Sequence, residues 1–389
     1  MKIGLITKEW PPHIYGGAGV HALQLTMALR AKIDVQVHTF GNNGDEAPVD
    51  ATIHPLPPQY SSLNPALAAL MTDIDIADSV TGVDLLHSHT WYANMAGHLG
   101  GLLHGVPHVI TAHSLEPDRP WKAEQLGGGY QISSWAEKTA YEGADAIIAV
   151  SHGMRADVLK AYPALDPAKV HVILNGVDTQ TFTPTTNSEI QGEYGITGRY
   201  AIFIGRITRQ KGLAHLLRAW QKVNPDVGLV IAAGNADEPG IGAEIEELIV
   251  SLQQARANVW WIQDRLSIDH MKVLLTGADL FLCPSIYEPL GIVNLEAMAC
   301  ETAVLASAVG GIPEVVQDGI TGKLVAYHGD GPAFEEAFAH AANSLLAQPI
   351  KLKEFGAAGR KRAIADFSWD SIADQTISLY ASIIASRKK

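Results

Sequence analysis

Cysteine is scarce in this chain of 389 residues, which contains only Cys283 and Cys300. Both lie on apolar segments, far from any C-x-x-C pair of the kind that binds a metal or performs redox chemistry. The sequence therefore predicts buried thiols in a reducing compartment, and we expect a cytoplasmic protein.

The sequence also lacks long apolar runs, and its basic residues are outnumbered by its acidic ones. The N-terminal apolar run is too short for the core of a secretory signal, and no later run approaches the ~20 residues that a membrane span needs. The 28 Lys and Arg residues stand against 41 Asp and Glu, a formal net charge of −13. We therefore expect neither a membrane span nor a nucleic-acid partner.

The dinucleotide-binding fingerprint is also missing. Gly16, Gly17 and Gly19 follow the first predicted strand, but their spacing differs from G-x-G-x-x-G. No acidic residue ends the second predicted strand, where a dinucleotide ribose would need one. A nicotinamide enzyme is therefore disfavoured, although these glycines still allow the backbone to approach a ligand closely.

The composition and the pattern of predicted elements indicate a globular α/β protein. Hydrophobic residues make up 47% and charged residues 18% of the sequence, and the length predicts two domains. Short apolar strands alternate with amphipathic helices, which favours parallel sheets. Periodicity is lost over residues 179–199, and we place the boundary there, between domains 1–183 and 184–368.

Two carboxylates, Glu288 and Glu296, lie eight positions apart within the stretch Ser285–Met298. A strand is predicted before this stretch, and a helix is predicted to begin near Val293. A helix that begins at the carboxyl end of a strand presents free N–H groups to an anion, most often a phosphate. Glu288 could then accept hydrogen bonds from sugar hydroxyls, and Glu296 from a ribose. The alternative is a surface loop with two solvated carboxylates.

Three cations occupy the turn after the predicted strand 200–204. Arg206, Arg209 and Lys211 lie between Gly205 and Gly212. A guanidinium can bind two oxygens at once and an ammonium supplies a compact charge, so the turn suits a pyrophosphate. The alternative is a solvated basic loop.

Histidines are numerous near the ends of the early strands. His113 follows a predicted strand, where open α/β sheets bind ligands, and we expect it to contact one; the alternative is a capping or core histidine. His87, His89, His98 and His113 together suggest a metal, but neither the spacing nor a carboxylate partner supports one, so we predict no metal site.

A polar, glycine-rich connection follows His113. It carries Arg119 and Lys122, which could meet an anionic acceptor or simply be solvated. At the other end of the first domain, a predicted strand ends at Asn175.

These motifs together resemble the retaining glycosyltransferases of family 4. The likeness runs over nearly the whole chain, and a narrower one links it to the actinobacterial glycogen synthases. The family signatures are matched by the cationic turn, by Glu288 and Glu296, and by Tyr15–Val20, His87–Trp91, His113–Pro117, Asn175–Asp178 and Gly310–Glu314. The narrower likeness rests on Thr111–Lys122, Gly127–Gln131 and Ile262–Arg265.

The resemblance implies a GT-B fold, in which two Rossmann-like domains face each other across a cleft. It also implies that the last helix, within residues 369–389, crosses back to the first domain. In the site, Arg206 and Lys211 would hold the donor pyrophosphate, Glu288 would bind sugar hydroxyls, and His113 would lie beneath the donor sugar. The remaining substrate-binding residues would be Gly16, Gly17, Arg119, Lys122, Asn175, Arg265, Leu290, Gly291, Ile292, Val293 and Glu296.

The activity implied is that of a retaining glucosyltransferase in α-glucan synthesis. It would move glucose from a nucleotide sugar, with ADP-glucose favoured, to an α-glucan end or to glucose 1-phosphate. The family needs no metal and no cofactor beyond the nucleotide sugar, which is a co-substrate. The alternative is a family 4 enzyme that uses UDP-glucose or GDP-mannose to make a glycolipid or a small glycoside. The sequence leaves the donor base, the acceptor and the oligomeric state open, a homo-oligomer included.

Overall fold

A computed structural model describes residues 1–14, 16–41, 50–118, 127–234 and 236–387. The chain divides into two compact units. The first comprises Met1–Gly176 together with the C-terminal stretch from Trp369, and the second comprises Val177–Ser368. Each is an α/β unit built on a parallel sheet.

In the first unit, the described residues form a seven-stranded sheet with the order β3-β2-β1-β4-β5-β6-β7. Its central strands are buried almost completely, as expected for a parallel sheet that is covered on both faces. The strands are β1 (Lys2–Thr7), β2 (Asp34–Gly41), β3 (Thr52–Pro55), β4 (Leu85–His89), β5 (His108–Ala112), β6 (Ala146–Ala149) and β7 (Val170–Val172). The helices are α1 (Gly17–Arg30), α2 (Pro65–Ser79), α3 (Trp91–His104), α4 (Gly129–Gly143) and α5 (His152–Ala161).

In the second unit, the described residues form a six-stranded sheet with the order β10-β9-β8-β11-β12-β13. The strands are β8 (Tyr200–Ile204), β9 (Gly228–Ala232), β10 (Val259–Ile262), β11 (Leu280–Cys283), β12 (Val304–Ser307) and β13 (Gly322–Val325). The helices are α6 (Ser188–Glu193), α7 (Leu213–Trp220), α8 (Pro239–Ala255), α9 (Ile268–Gly277), α10 (Ile292–Ala299), α11 (Ile312–Val315), α12 (Gly331–Leu346) and α13 (Pro349–Asp366).

Each sheet reverses its strand order once. The reversal lies between β1 and β4 in the first unit and between β8 and β11 in the second. Open parallel sheets bind ligands at such a reversal, beyond the carboxyl ends of the strands. The loops after these four strands are therefore the places to look for a site, and both units are Rossmann-like.

The last helix, α14 (Trp369–Arg387), belongs to the first unit. Its Trp369 and Tyr380 share a core with Ile3 of β1 and Leu25 of α1. The Tyr380 hydroxyl lies 2.6 Å from Nδ1 of His87 in β4. The predicted return of this helix to the first domain is confirmed. None of the helices in the described ranges combines the length and apolar character needed to cross a bilayer.

Local structure differs from the sequence interpretation in a few places. Val177 already bonds to the second unit, since its N–H donates to the Phe367 carbonyl, so this unit begins before the sequence-based boundary after residue 183. A short helix, α6, forms inside the predicted linker because the Asn187 side chain caps it. Ser133 lies within α4 and donates to the buried carboxylate of Glu116.

Five buried imidazoles make the first unit sensitive to acid. Burial lowers the pKa of His21 to about 4 and that of His108 to about 3. It lowers the pKa values of His87, His89 and His113 well below 6.5. The unfolded chain binds protons near pH 6.5, whereas the folded chain does so only at lower pH.

We therefore expect the free energy of unfolding to fall as the pH drops from 6.5 towards 4. Each imidazole would contribute up to about 1.4 kcal/mol per pH unit. Urea unfolding at several pH values, with a chelator present, measures this dependence. His108→Gln should reduce the slope by up to about one proton. A slope equal to that of the unaltered chain would contradict the assignment.

Candidate active site

A buried ion pair forms the centre of the second unit's site. Lys211, in the 3-10 turn Arg209–Lys211 after β8, places Nζ 2.6 Å from Oε2 of Glu288. Glu288, in the loop after β11, is 7% exposed. Burial alone would lower the pKa of Lys211, but the Glu288 carboxylate outweighs it, and the pKa is raised. Lys211 therefore stays positively charged inside the protein.

Main-chain packing fixes the lysine turn against the glutamate loop. Gly212 has φ +66°, and a Cβ there would lie 2.1 Å from the Pro284 carbonyl oxygen. The Ile286 N–H donates to the Gln210 carbonyl at 2.8 Å. Only glycine fits at residue 212, because both the backbone conformation and the space exclude a side chain.

The Glu288 backbone is held from its other side by the segment after β12. The Gly311 N–H donates to the Glu288 carbonyl at 3.0 Å. Gly310 has φ +53°, and a Cβ there would lie 2.0 Å from the same carbonyl oxygen. The Ser285 hydroxyl donates to the Glu288 carboxylate at 3.2 Å. Ser285 and Gly310 thus position Glu288, although the sequence analysis assigned a role to neither.

Arg206 lies near the ion pair but binds a different carboxylate. Its Nη1 contacts the two oxygens of Asp237 at 2.9 and 3.2 Å. The positive charge of Arg206 acts to lower the pKa of Lys211, in opposition to Glu288, so the two cations are electrostatic neighbours. The sequence analysis did not identify Asp237, although Asp237 follows the end of β9 much as Arg206 follows the end of β8.

Helix α10 begins beside these groups, at Ile292. The preceding Gly291 is left-handed, with φ +93°, and opens the helix. Glu296 lies in the second turn and is 8% exposed. Burial raises its pKa to about 7, and the charge of Lys211 offsets this in part. The predicted neighbourhood of Lys211, Glu288 and Glu296 is therefore found, whereas Arg265 lies exposed in the loop between β10 and α9.

The first unit contributes a separate cluster of neutral groups. His113, just after β5, has Nε2 3.0 Å from Nδ1 of His89, at the end of β4. The His21 ring of α1 meets His113 edge-on at 4.7 Å, and Asn175 lies beside His21. Because burial keeps these imidazoles uncharged at neutral pH, the cluster can hydrogen-bond a ligand but adds no charge.

The glycine turn of the first unit is held by a buried carboxylate. The N–H of Gly16, which precedes α1, donates to Oε2 of Glu9 at 2.8 Å. A Cβ at Gly19 would lie 2.7 Å from Glu9 atoms. Glu9 thus fixes the predicted ligand-facing segment at Gly16 and Gly17. Arg119 and Lys122 lie outside the described residues.

Two known family models match consecutive parts of this chain. Residues 15–181 match the model of Glycosyltransferase Family 4, and residues 187–362 match that of Glycosyl transferases group 1. The α-maltose-1-phosphate synthase of Mycolicibacterium smegmatis is 52% identical over 99% of this chain and 100% of that protein. The chain belongs to glycosyltransferase family 4. It is also 49% identical to the synthase of the same name from Mycobacterium tuberculosis, over 99% and 100% of the two chains.

Solved structures show that this family 4 glycosyltransferase has the GT-B fold. A sucrose-phosphate synthase from Thermosynechococcus elongatus superposes with a TM-score of 0.82 at 24% identity, over 99% of this chain and all of the other. The catalytic domain of starch synthase IV from Arabidopsis thaliana gives a TM-score of 0.77 at 17% identity, over 99% of each chain. At these identities the likeness concerns the fold alone.

We expect Gly310→Ala to lower kcat/KM about 100-fold, since the added Cβ must displace the Glu288 backbone and small displacements in a site are costly. Gly319→Ala is the matched control. Gly319 is also left-handed, with φ +76°, but its Cβ would meet no atom within 4 Å. Steady-state kinetics of the two variants separate displacement of Glu288 from backbone strain. Similar losses in both would contradict the positioning role of Gly310.

Proposed function

We propose that this glycosyltransferase transfers glucose from ADP-glucose to glucose 1-phosphate, forming α-maltose 1-phosphate with retention of configuration. The observation that carries the proposal is the 52% identity, over essentially the whole chain, to a protein named α-maltose-1-phosphate synthase. One glucosyl transfer onto glucose 1-phosphate yields that product. The preference for ADP-glucose rests on the resemblance of residues 111–122, 127–131 and 262–265 to the actinobacterial glycogen synthases.

Lys211 and Arg206 would stabilise the departing diphosphate. Breaking the anomeric C–O bond places negative charge on the leaving group. Lys211 is kept charged by Glu288, and Arg206 lies close enough to influence it. These cations and the N–H groups at the start of α10 would oppose that charge, an electrostatic contribution that is often the largest in catalysis.

The neutral and acidic groups would orient the two sugars. Glu288 would accept hydrogen bonds from hydroxyls of the transferred glucose and Glu296 from the ribose, while His113 would contact the glucose as a neutral imidazole. Retention would follow from attack on the same face that the diphosphate leaves, with the departing phosphate taking the acceptor's proton. Because Arg206 and Lys211 supply the positive charge, we propose that the reaction needs no metal ion.

Product analysis tests the proposal. The purified protein is offered ADP-glucose or UDP-glucose, each with glucose 1-phosphate or glycogen, in buffer containing a chelator. We expect α-maltose 1-phosphate from ADP-glucose and glucose 1-phosphate. Transfer to glycogen alone would indicate an enzyme that elongates glucans, and a preference for UDP-glucose would overturn the donor assignment.

Alanine substitutions test the charged groups. We expect Arg206→Ala, Lys211→Ala and Glu288→Ala each to lower kcat by about 100-fold or more, the usual cost of removing a group that stabilises transition-state charge. Lys323→Ala is a suitable control, because Lys323 forms an exposed pair with Asp318. Thermal unfolding of each variant verifies the fold. Near-normal rates in all three folded variants would refute the site.

The raised pKa of Glu296 predicts a pH-dependent donor affinity. Ribose hydroxyls donate to the ionised carboxylate, which becomes protonated below a pKa of about 7. We therefore expect the KM for ADP-glucose to rise about tenfold between pH 8 and pH 6. Glu296→Gln should show a higher KM that no longer changes over this range. The same pH dependence in that variant would assign the titration to another group.

A further inference from the structure

A set of three imidazoles in the first unit is arranged like the ligands of a metal ion. One ring nitrogen from each of His21, His89 and His113 lies within 4.8 Å of the other two. The contacting nitrogens of His89 and His113 are 3.0 Å apart. Two nitrogens bound to one tetrahedral zinc, at 2.0–2.1 Å each, lie roughly 3.3 Å apart. Modest side-chain rotations would thus bring all three nitrogens onto one ion.

Two of these rings are incompletely hydrogen-bonded. His21 has the Asn175 side chain beside it, but neither of its ring nitrogens makes a well-formed hydrogen bond in the described chain, and Nε2 of His89 makes none there either. Leaving a buried polar atom without a partner typically costs about 1–3 kcal/mol, so a ligand that engages these nitrogens would be favoured.

The neighbouring His87, in contrast, has a hydrogen-bond partner for each of its ring nitrogens. Its Nε2 lies 2.7 Å from the Thr111 hydroxyl and its Nδ1 lies 2.6 Å from the Tyr380 hydroxyl. Both ring nitrogens of His87 are therefore occupied, and this histidine is a structural member of the core. Among these four histidines, the ring nitrogens without a well-formed hydrogen bond in the described chain belong to His21 and His89.

We propose that His21, His89 and His113 form a binding site for a divalent transition metal such as Zn²⁺. Three neutral nitrogen ligands without a carboxylate suit zinc, copper or nickel and do not suit magnesium or calcium. The fourth position would remain for water or for Oδ1 of Asn175. Bound metal would occupy His113, so it would inhibit glucosyl transfer; this consequence, unlike metal binding itself, rests on the proposed function.

Calorimetry with Zn²⁺, on the untagged full-length chain after chelator treatment, tests the binding. We expect one tight equivalent. His21→Gln and His89→Gln should each weaken it by at least about tenfold, as loss of supporting groups does at metal sites. His98→Gln, which alters another histidine of the same unit outside the cluster, should bind as the unaltered chain does. Undiminished binding in the His21 and His89 variants would overturn the proposal.

Two further measurements use the unaltered chain, because both replaced residues are buried. X-ray absorption at the zinc edge should show three nitrogen ligands near 2.0 Å; a shell dominated by oxygen would overturn the site. Zn²⁺ should also inhibit glucosyl transfer, and chelator should restore it. Tight zinc binding without inhibition would support the metal site but show that His113 has no part in the transfer reaction. Absence of transfer from any donor would contradict the proposed function and leave the metal site untouched.

Discussion

The site in the second domain depends on the ion pair between Lys211 and Glu288. Either charge alone would be costly at this depth, since removing one partner of a buried pair leaves the other without compensation. The two residues are 77 positions apart in the chain. They meet because β8 and β11 are neighbours at the reversal of strand order, so the loops after them share one edge of the sheet.

Both domains support a ligand-facing turn in the same way, with a buried carboxylate behind a glycine segment. In the first, Glu9 accepts from the N–H of Gly16. In the second, Glu288 is held between the segments of Gly212 and Gly310, where a Cβ would collide with the backbone. Main-chain contacts therefore set the position of Glu288, and that position requires glycine at residues 212 and 310.

The candidate sites of the two units differ in charge for a physical reason. Lys211 can remain charged because Glu288 lies beside it. The imidazoles of His21, His89 and His113 have no carboxylate in hydrogen-bond contact among the described residues and are kept neutral by burial. A charged site suits a departing diphosphate, and a neutral one suits a sugar. Because burial keeps these imidazoles uncharged, their ring nitrogens can bind a metal ion, and they take up protons only at low pH.

The sequence by itself determined the fold class and the family, and it predicted the residues that are proposed for the second domain's site. Apolar strands and glycine turns are local signals, and Arg206, Lys211, Glu288 and Glu296 stand where strand ends meet helix starts. Only the tertiary structure shows which side chains and backbone groups contact these residues. Asp237 binds Arg206, while Ser285 and Gly310 position Glu288. His21 contacts His89 and His113, for which the sequence analysis had rejected a role as metal ligands. These contacts join residues from different strands and helices, so no spacing along the chain records them; only the packed sheets bring the atoms within bonding distance.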